Sequence, residues 1–131
     1  MEFTSEWTNI NAPAEEVFAF ASDLNNLGSL MPEQVENWKA TTDTCSFTIK
    51  GMADLRMRVT SRIPHTYIGL DPEGKTPVDF RLELDFRPAG EQSEARVKLE
   101  AHLNPMLAMM AKRPLQNLVH IMAQKLSHVD F

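Results

Sequence analysis

The side chains able to hold a metal, attack a carbonyl or move a proton are few in this chain, and their spacing is uninviting. The four histidines, His65, His102, His120 and His128, stand at none of the separations by which histidines share a metal. His120 and His128 are eight residues apart, two helical turns and not one. They read as surface histidines, and neither a metal nor a cofactor is expected. Cys45, the only cysteine, lies mid-strand with no base beside it and reads as a small buried hydrophobe. No Ser-His-Asp order and no nucleophile elbow is visible. A general acid or base must sit within hydrogen-bond reach of its substrate, and Tyr67, His65 and Arg113 are the first residues an enzyme reading would use.

Apolar surface is the richer signal. Methionine occurs eight times, and Met106, Met109 and Met110 cluster where a long helix begins. Met31 and Met57 are expected to approach them. Methionine is flexible and polarizable, so it adapts to varied apolar ligands as readily as it fills gaps in a core.

The elements that must position these residues follow from periodicity. Phe3 to Ile10 reads as a first strand. Asn11-Ala12-Pro13, with Glu15 and Glu16 just after, starts a helix whose apolar face carries Val17, Phe18, Phe20 and Ala21. Ser22-Asp23 starts a second short helix with Leu24, Leu27 and Leu30 at helical spacing. From about Val35 to Leu103 the period becomes two. Cys45, Phe47 and Ile49 alternate with polar residues, then Leu55, Met57 and Val59, then Val78 to Phe86, then Ala95 to Leu103. Turns are expected at Lys50-Gly51, at Asp71-Pro72-Glu73-Gly74 and at Pro88-Ala89-Gly90. Such alternation means antiparallel strands with one wet and one dry face. The interleaved Arg, Lys, Asp and Glu of the wet face are placed to pair across strands. Asn104-Pro105 then opens a helix of about 25 residues. Its apolar stripe runs Leu107, Ala111, Leu115, Leu118, Met122, Leu126 and Val129, and Pro114 is expected to kink it or split off its first turn.

At 131 residues, 43% hydrophobic and 24% charged, the chain is read as one α+β domain over residues 1–131 with enough apolar material for a core. A net charge of −5 without a basic cluster speaks against nucleic acid. No apolar run reaches the ~18 residues of a membrane span. The lone cysteine and the acidic start MEFTSEWTNI suggest a reducing, cytoplasmic setting.

The stretch Ile10-Asn11-Ala12-Pro13-Ala14-Glu15-Glu16-Val17-Phe18-Ala19-Phe20, the Leu-rich segment to Pro32 and Asn104-Pro105 before a long apolar helix together resemble the START-like, birch-pollen-allergen-like (SRPBCC) superfamily. Within it the chain is most similar to small polyketide-cyclase-like or carbon-monoxide-dehydrogenase-subunit-G-like members. The resemblance covers nearly the whole chain. It implies a helix-grip fold: a curved antiparallel sheet of about seven strands around the C-terminal helix, with two short helices after strand 1. It also implies an interior that is not wholly filled.

The reading is therefore a non-catalytic binder of a hydrophobic, lipid-like or aromatic small molecule. Phe20, Leu24, Leu27, Met57, Phe80, Leu82, Met106 and Met110 are the expected contacts. A cyclase or dehydratase-type enzyme and an interaction module acting through its surface are the alternatives. A homodimer or protein partner stays open, and no integral membrane association is expected. One outcome tests the helix face directly. Leu118→Asp buries a carboxylate at several kcal/mol and is expected to abolish folding, read as loss of native circular dichroism.

Overall fold

The computed structural model describes residues 1–75 and 78–131. Among the described residues, eight strands form one antiparallel sheet: β1 (Glu2–Thr4), β2 (Thr8–Ile10), β3 (Val35–Ala40), β4 (Thr44–Ile49), β5 (Ala53–Ile63), β6 (Tyr67–Pro72), β7 (Asp79–Ala89) and β8 (Gln92–His102). The spatial order is β1-β8-β7-β6-β5-β4-β3, with β2 also paired to β8. Helices α1 (Ala14–Ser22), α2 (Leu24–Leu27) and α3 (Pro105–Ser127), with a 3-10 turn at Gly28–Leu30, complete the α+β arrangement. This is the helix-grip architecture.

The alternation seen in the sequence becomes burial in the structure. Along β7, Phe80, Leu82, Leu84 and Phe86 are buried, and along β8, Ala95, Val97, Leu99 and Ala101. Onto this dry face α3 lays Leu115, Leu118, Val119, Met122 and Leu126, all buried, and it packs on β8, β1, β2 and the 3-10 turn. Asn104 caps the helix, its Oδ1 accepting from the Leu107 N–H at 2.9 Å, and Pro105 occupies the first turn. Pro114 does not split the helix, which runs unbroken to Ser127. Proline has no N–H for the carbonyl four residues back, and Met110, which carries that carbonyl, is exposed.

The first strand departs from its expected form. It is two three-residue pieces, because four residue steps from Thr4 to Thr8 face three on β8, from Lys98 to Ala95. An extra residue in one strand is a bulge, and buried Ser5 heals it. Its N–H donates to the Val97 carbonyl at 2.8 Å and its Oγ accepts from the Val97 N–H at 2.9 Å. The Asp71–Gly74 turn also shifts, since Asp71 and Pro72 still belong to β6, paired with Arg58 and Met57.

A second bulge, in β3, positions α2. The register slips between Glu36 and Lys39, and Asn37 takes a left-handed φ of 57°. The half-buried Trp38 next to it stacks on Phe47, ring centroids 5.2 Å apart, and its Nε1–H donates to the Leu24 carbonyl at 3.2 Å. Gly28 lies directly against that indole: a Cβ there would come within 2.5 Å of Trp38 Cδ1. Gly28→Ala is therefore expected to cost about 1–3 kcal/mol, measured as a lower denaturant midpoint at unchanged slope. Most of that loss should vanish when Trp38 is also replaced by Leu.

Candidate ligand-binding groove

The β4–β5 hairpin turns at Lys50-Gly51-Met52, where Gly51 has φ 78°, a value that favours glycine. The Lys50 N–H donates to the Gln34 carbonyl at 2.8 Å, which fastens the loop before β3 to the hairpin. The Gln34 side chain in turn donates from Nε2 to the Pro114 carbonyl at 3.2 Å. Lys125 Nζ donates to the Met31 carbonyl at 2.8 Å. Hairpin, loop and α3 thus enclose a cleft whose walls are tied together by named hydrogen bonds.

Its apolar part, of about 270 Å³, is lined by Ile49, Lys50, Gly51, Met52, Leu107, Met110, Ala111 and Pro114. A wider open groove of about 710 Å³ adjoins it, lined by Gln34, Lys50, Arg113, Pro114, Gln116, Asn117 and His120. Lys50 and Pro114 belong to both.

The expected contact residues fall into three groups. Leu24, Leu27, Met57, Phe80 and Leu82 are buried in one continuous core cluster, with half-buried Phe20 packed against it and its ring edge-on to Phe131 at 5.5 Å. Met110 lines the apolar cleft while remaining 70% exposed. Met106 is 76% exposed and is not among the lining residues of either cleft. Met31 and Met57 are buried, and neither is among the residues that line the cleft with Met110. The reason is helical phase. Leu107, Ala111, Leu115 and Leu118 follow the i, i+4, i+8, i+11 stripe that faces the sheet, which leaves Met106, Met109 and Met110 off that stripe. Sequence reasoning did not select Leu107, Ala111 and Met52 as contacts. The Lys50-Gly51 turn and Pro114 were the signals that could have located them, since both mark where the hairpin and the helix stand apart.

A scan of protein families matches residues 3–127 to the model described as polyketide cyclase / dehydrase and lipid transport. The chain belongs to this family. No curated protein matches the sequence. Several solved structures share the fold at low identity. A protein of Thermus thermophilus is 16% identical, with a TM-score of 0.77 over 98% of this chain and 95% of its own. A START superfamily protein of Mycobacterium smegmatis is 13% identical, TM-score 0.69, covering 98% and 99%. A conserved protein of Geobacillus kaustophilus is 18% identical, TM-score 0.72, covering 98% and 93%.

Against this family background, the three residues suggested for an enzyme do not converge. Tyr67 lies on the outer sheet face, its Oη accepting from Arg81 Nη2 at 3.0 Å. His65 sits in the β5–β6 turn at φ 67°, edge-on to Phe18 at 5.8 Å. Arg113 alone lines the groove.

The outer face carries the cross-strand pairing anticipated from the sequence. Arg81 bridges Asp71 and Glu83, Lys98 bridges Glu83 and Asp85, and Arg96 reaches Asp85 at 3.1 Å. Arg87 and Arg96 lie over the ring of Trp7, at 3.9 and 4.5 Å from its centroid. Burial pushes the Asp71 carboxyl up, but hydrogen bonds from Thr60 and Arg81 outweigh it and hold its pKa below the usual range. Burial pushes Lys98 down, and Asp85 with Glu83 reverses that. Among the described residues no three His, Cys, Asp or Glu side chains are grouped to hold a metal ion. No helix among them is long and apolar enough to cross a membrane.

Cys45 is buried on β4, and burial raises its thiol to about 12, aided by the charge of Glu73 and only partly opposed by a hydrogen bond with the Met57 backbone. It is protonated throughout the neutral range, and the thiolate is the reactive form. An aromatic disulfide reagent at pH 8 is therefore expected to label native protein only at the rate of unfolding, and denatured protein at once. Fast native labelling would show that Cys45 is accessible.

Proposed function

We propose that this protein binds a hydrophobic small molecule, without catalysis, in the cleft between the β4–β5 hairpin and the first half of α3. The observation that carries the reading is the apolar lining formed by Ile49, Met52, Leu107, Met110 and Ala111, left open where α3 begins. Small-molecule pockets are mostly apolar with a few placed polar groups, and run from about 300 Å³ upward. The 270 Å³ cleft reaches that range once it continues into the groove beside it. Two flexible methionines give the lining latitude in ligand shape. A description that includes lipid transport for the family is in keeping with an apolar ligand. The residues Leu24, Leu27, Met57, Phe80 and Leu82 lie in the core and, on this reading, form the floor that holds the cleft in shape.

An environment-sensitive apolar dye is expected to bind the native protein with micromolar affinity. Met110→Asp should weaken that binding about tenfold, the scale of one partly covered methionine contact. It should change the melting temperature little, because the side chain is largely exposed. Met106→Asp and Met109→Asp, on still more exposed positions, should leave the dye affinity unchanged. Equal losses for all three would move the site from the cleft to the exposed helix surface. No dye binding at all would end the reading.

A further inference from the structure

The groove that continues the apolar cleft has a charge character opposite to that of the whole chain. The chain carries a net charge of −5. Yet the groove is lined by Lys50, Arg113 and His120 together with the amides of Gln34, Gln116 and Asn117, and no carboxylate is among its lining residues. Lys50 Nζ lies 3.8 Å from Glu36 Oε1 in a largely exposed pair. Such a pair is weak and leaves the lysine available. The Arg113 side chain, like those of Arg56 and Arg58, makes no hydrogen bond or ion pair among the described residues, whereas Arg62, Arg81, Arg87 and Arg96 are engaged by acids, and of the three unpaired arginines only Arg113 lines this groove. A guanidinium held beside a groove without an acid partner is a free fork of donors for a planar anion.

The apolar and cationic parts share Lys50 and Pro114, so they form one continuous surface. Along α3 the step from Leu107 to Arg113 is about 9 Å at the helical rise. That spacing separates an apolar anchor from a charged one by roughly the length of a medium aliphatic chain.

We infer that the ligand is an amphiphile with a single anionic head, of the carboxylate class, its tail over Ile49, Met52 and Leu107 and its head at Arg113. The inference rests on the cleft reading above and adds the chemical class of what fills it. Lys50 and His120 flank the head, and the Asn117 amide offers a further donor.

Paired ligands with identical tails separate the two readings. Dodecanoate and dodecanol are titrated by calorimetry, below the concentration at which dodecanoate forms micelles. Dodecanoate is expected to bind about fivefold more tightly, the scale of one exposed ion pair. Added salt should narrow the gap. Arg113→Gln should remove the difference while leaving dodecanol unchanged. Equal affinities in the native protein would overturn the head-group assignment and leave the apolar cleft standing. Failure of both ligands to bind would overturn the cleft reading, and this inference with it. A second arm uses phospholipid vesicles, neutral or anionic. Sedimentation with anionic vesicles that Arg113→Gln abolishes, without a dodecanoate preference, would assign the cationic groove to a membrane surface and overturn the free amphiphile.

Discussion

The contact between the buried stripe of α3 and the dry face of the sheet is the constraint on which the remaining geometry rests. Leu115, Leu118, Val119, Met122 and Leu126 must leave water together, and the apolar surface that receives them is the one built by β8 with β1 and β2 beside it. Burial along the helix begins at Ala111 and becomes dense only after Pro114. The C-terminal part of α3 is thereby sealed to the sheet, and its first turns stand over the β4–β5 hairpin with a cleft between them. One packing contact closes the core and opens the cleft.

Polar groups keep that cleft from collapsing or drifting. The Lys50 N–H bond to Gln34, the Gln34 bond to Pro114 and the Lys125 bond to Met31 join hairpin, loop and helix at three points. The far side of the loop is held by α2 and the 3-10 turn, which are pinned by Trp38 on Phe47 and by the close approach of Gly28. Each of these contacts is modest alone. Together they fix the relative position of elements that share little apolar contact.

The outer sheet face solves a different problem. Arg81, Lys98 and Arg96 each have an acid within reach, and the guanidinium groups of Arg87 and Arg96 both lie over Trp7. Half-buried pairs of this kind order the face and satisfy its charges internally. Arg113 differs in its setting, since it lies in a groove with no carboxylate among its lining residues.

Much of the fold was legible in the residue order. The period-two runs placed β4, β5, β7 and β8 and their dry faces. Pro13 with Glu15 and Glu16 started α1, Asp23 capped α2, and Asn104-Pro105 opened α3 with its stripe correctly phased. These features depend on neighbours within a few residues, so local pattern is enough to reveal them. The bulges at Ser5 and Asn37 were not legible, because each is defined by the register of a partner strand and not by the residues around it. The residues that line the cleft were legible only in part. Apolarity marked Leu24, Leu27, Met57, Phe80, Leu82 and Met110, but it could not separate core from cleft, nor show that Met106 stays in water. That division depends on where a helix stops touching a sheet, and on which side chains of a hairpin face it there. The sequence alone thus determined the strands, the helices and the stripe that binds them, through local periodicity. Only the tertiary structure decided which apolar residues line an open cleft and which fill the core, because an unfilled space belongs to no single segment of the chain.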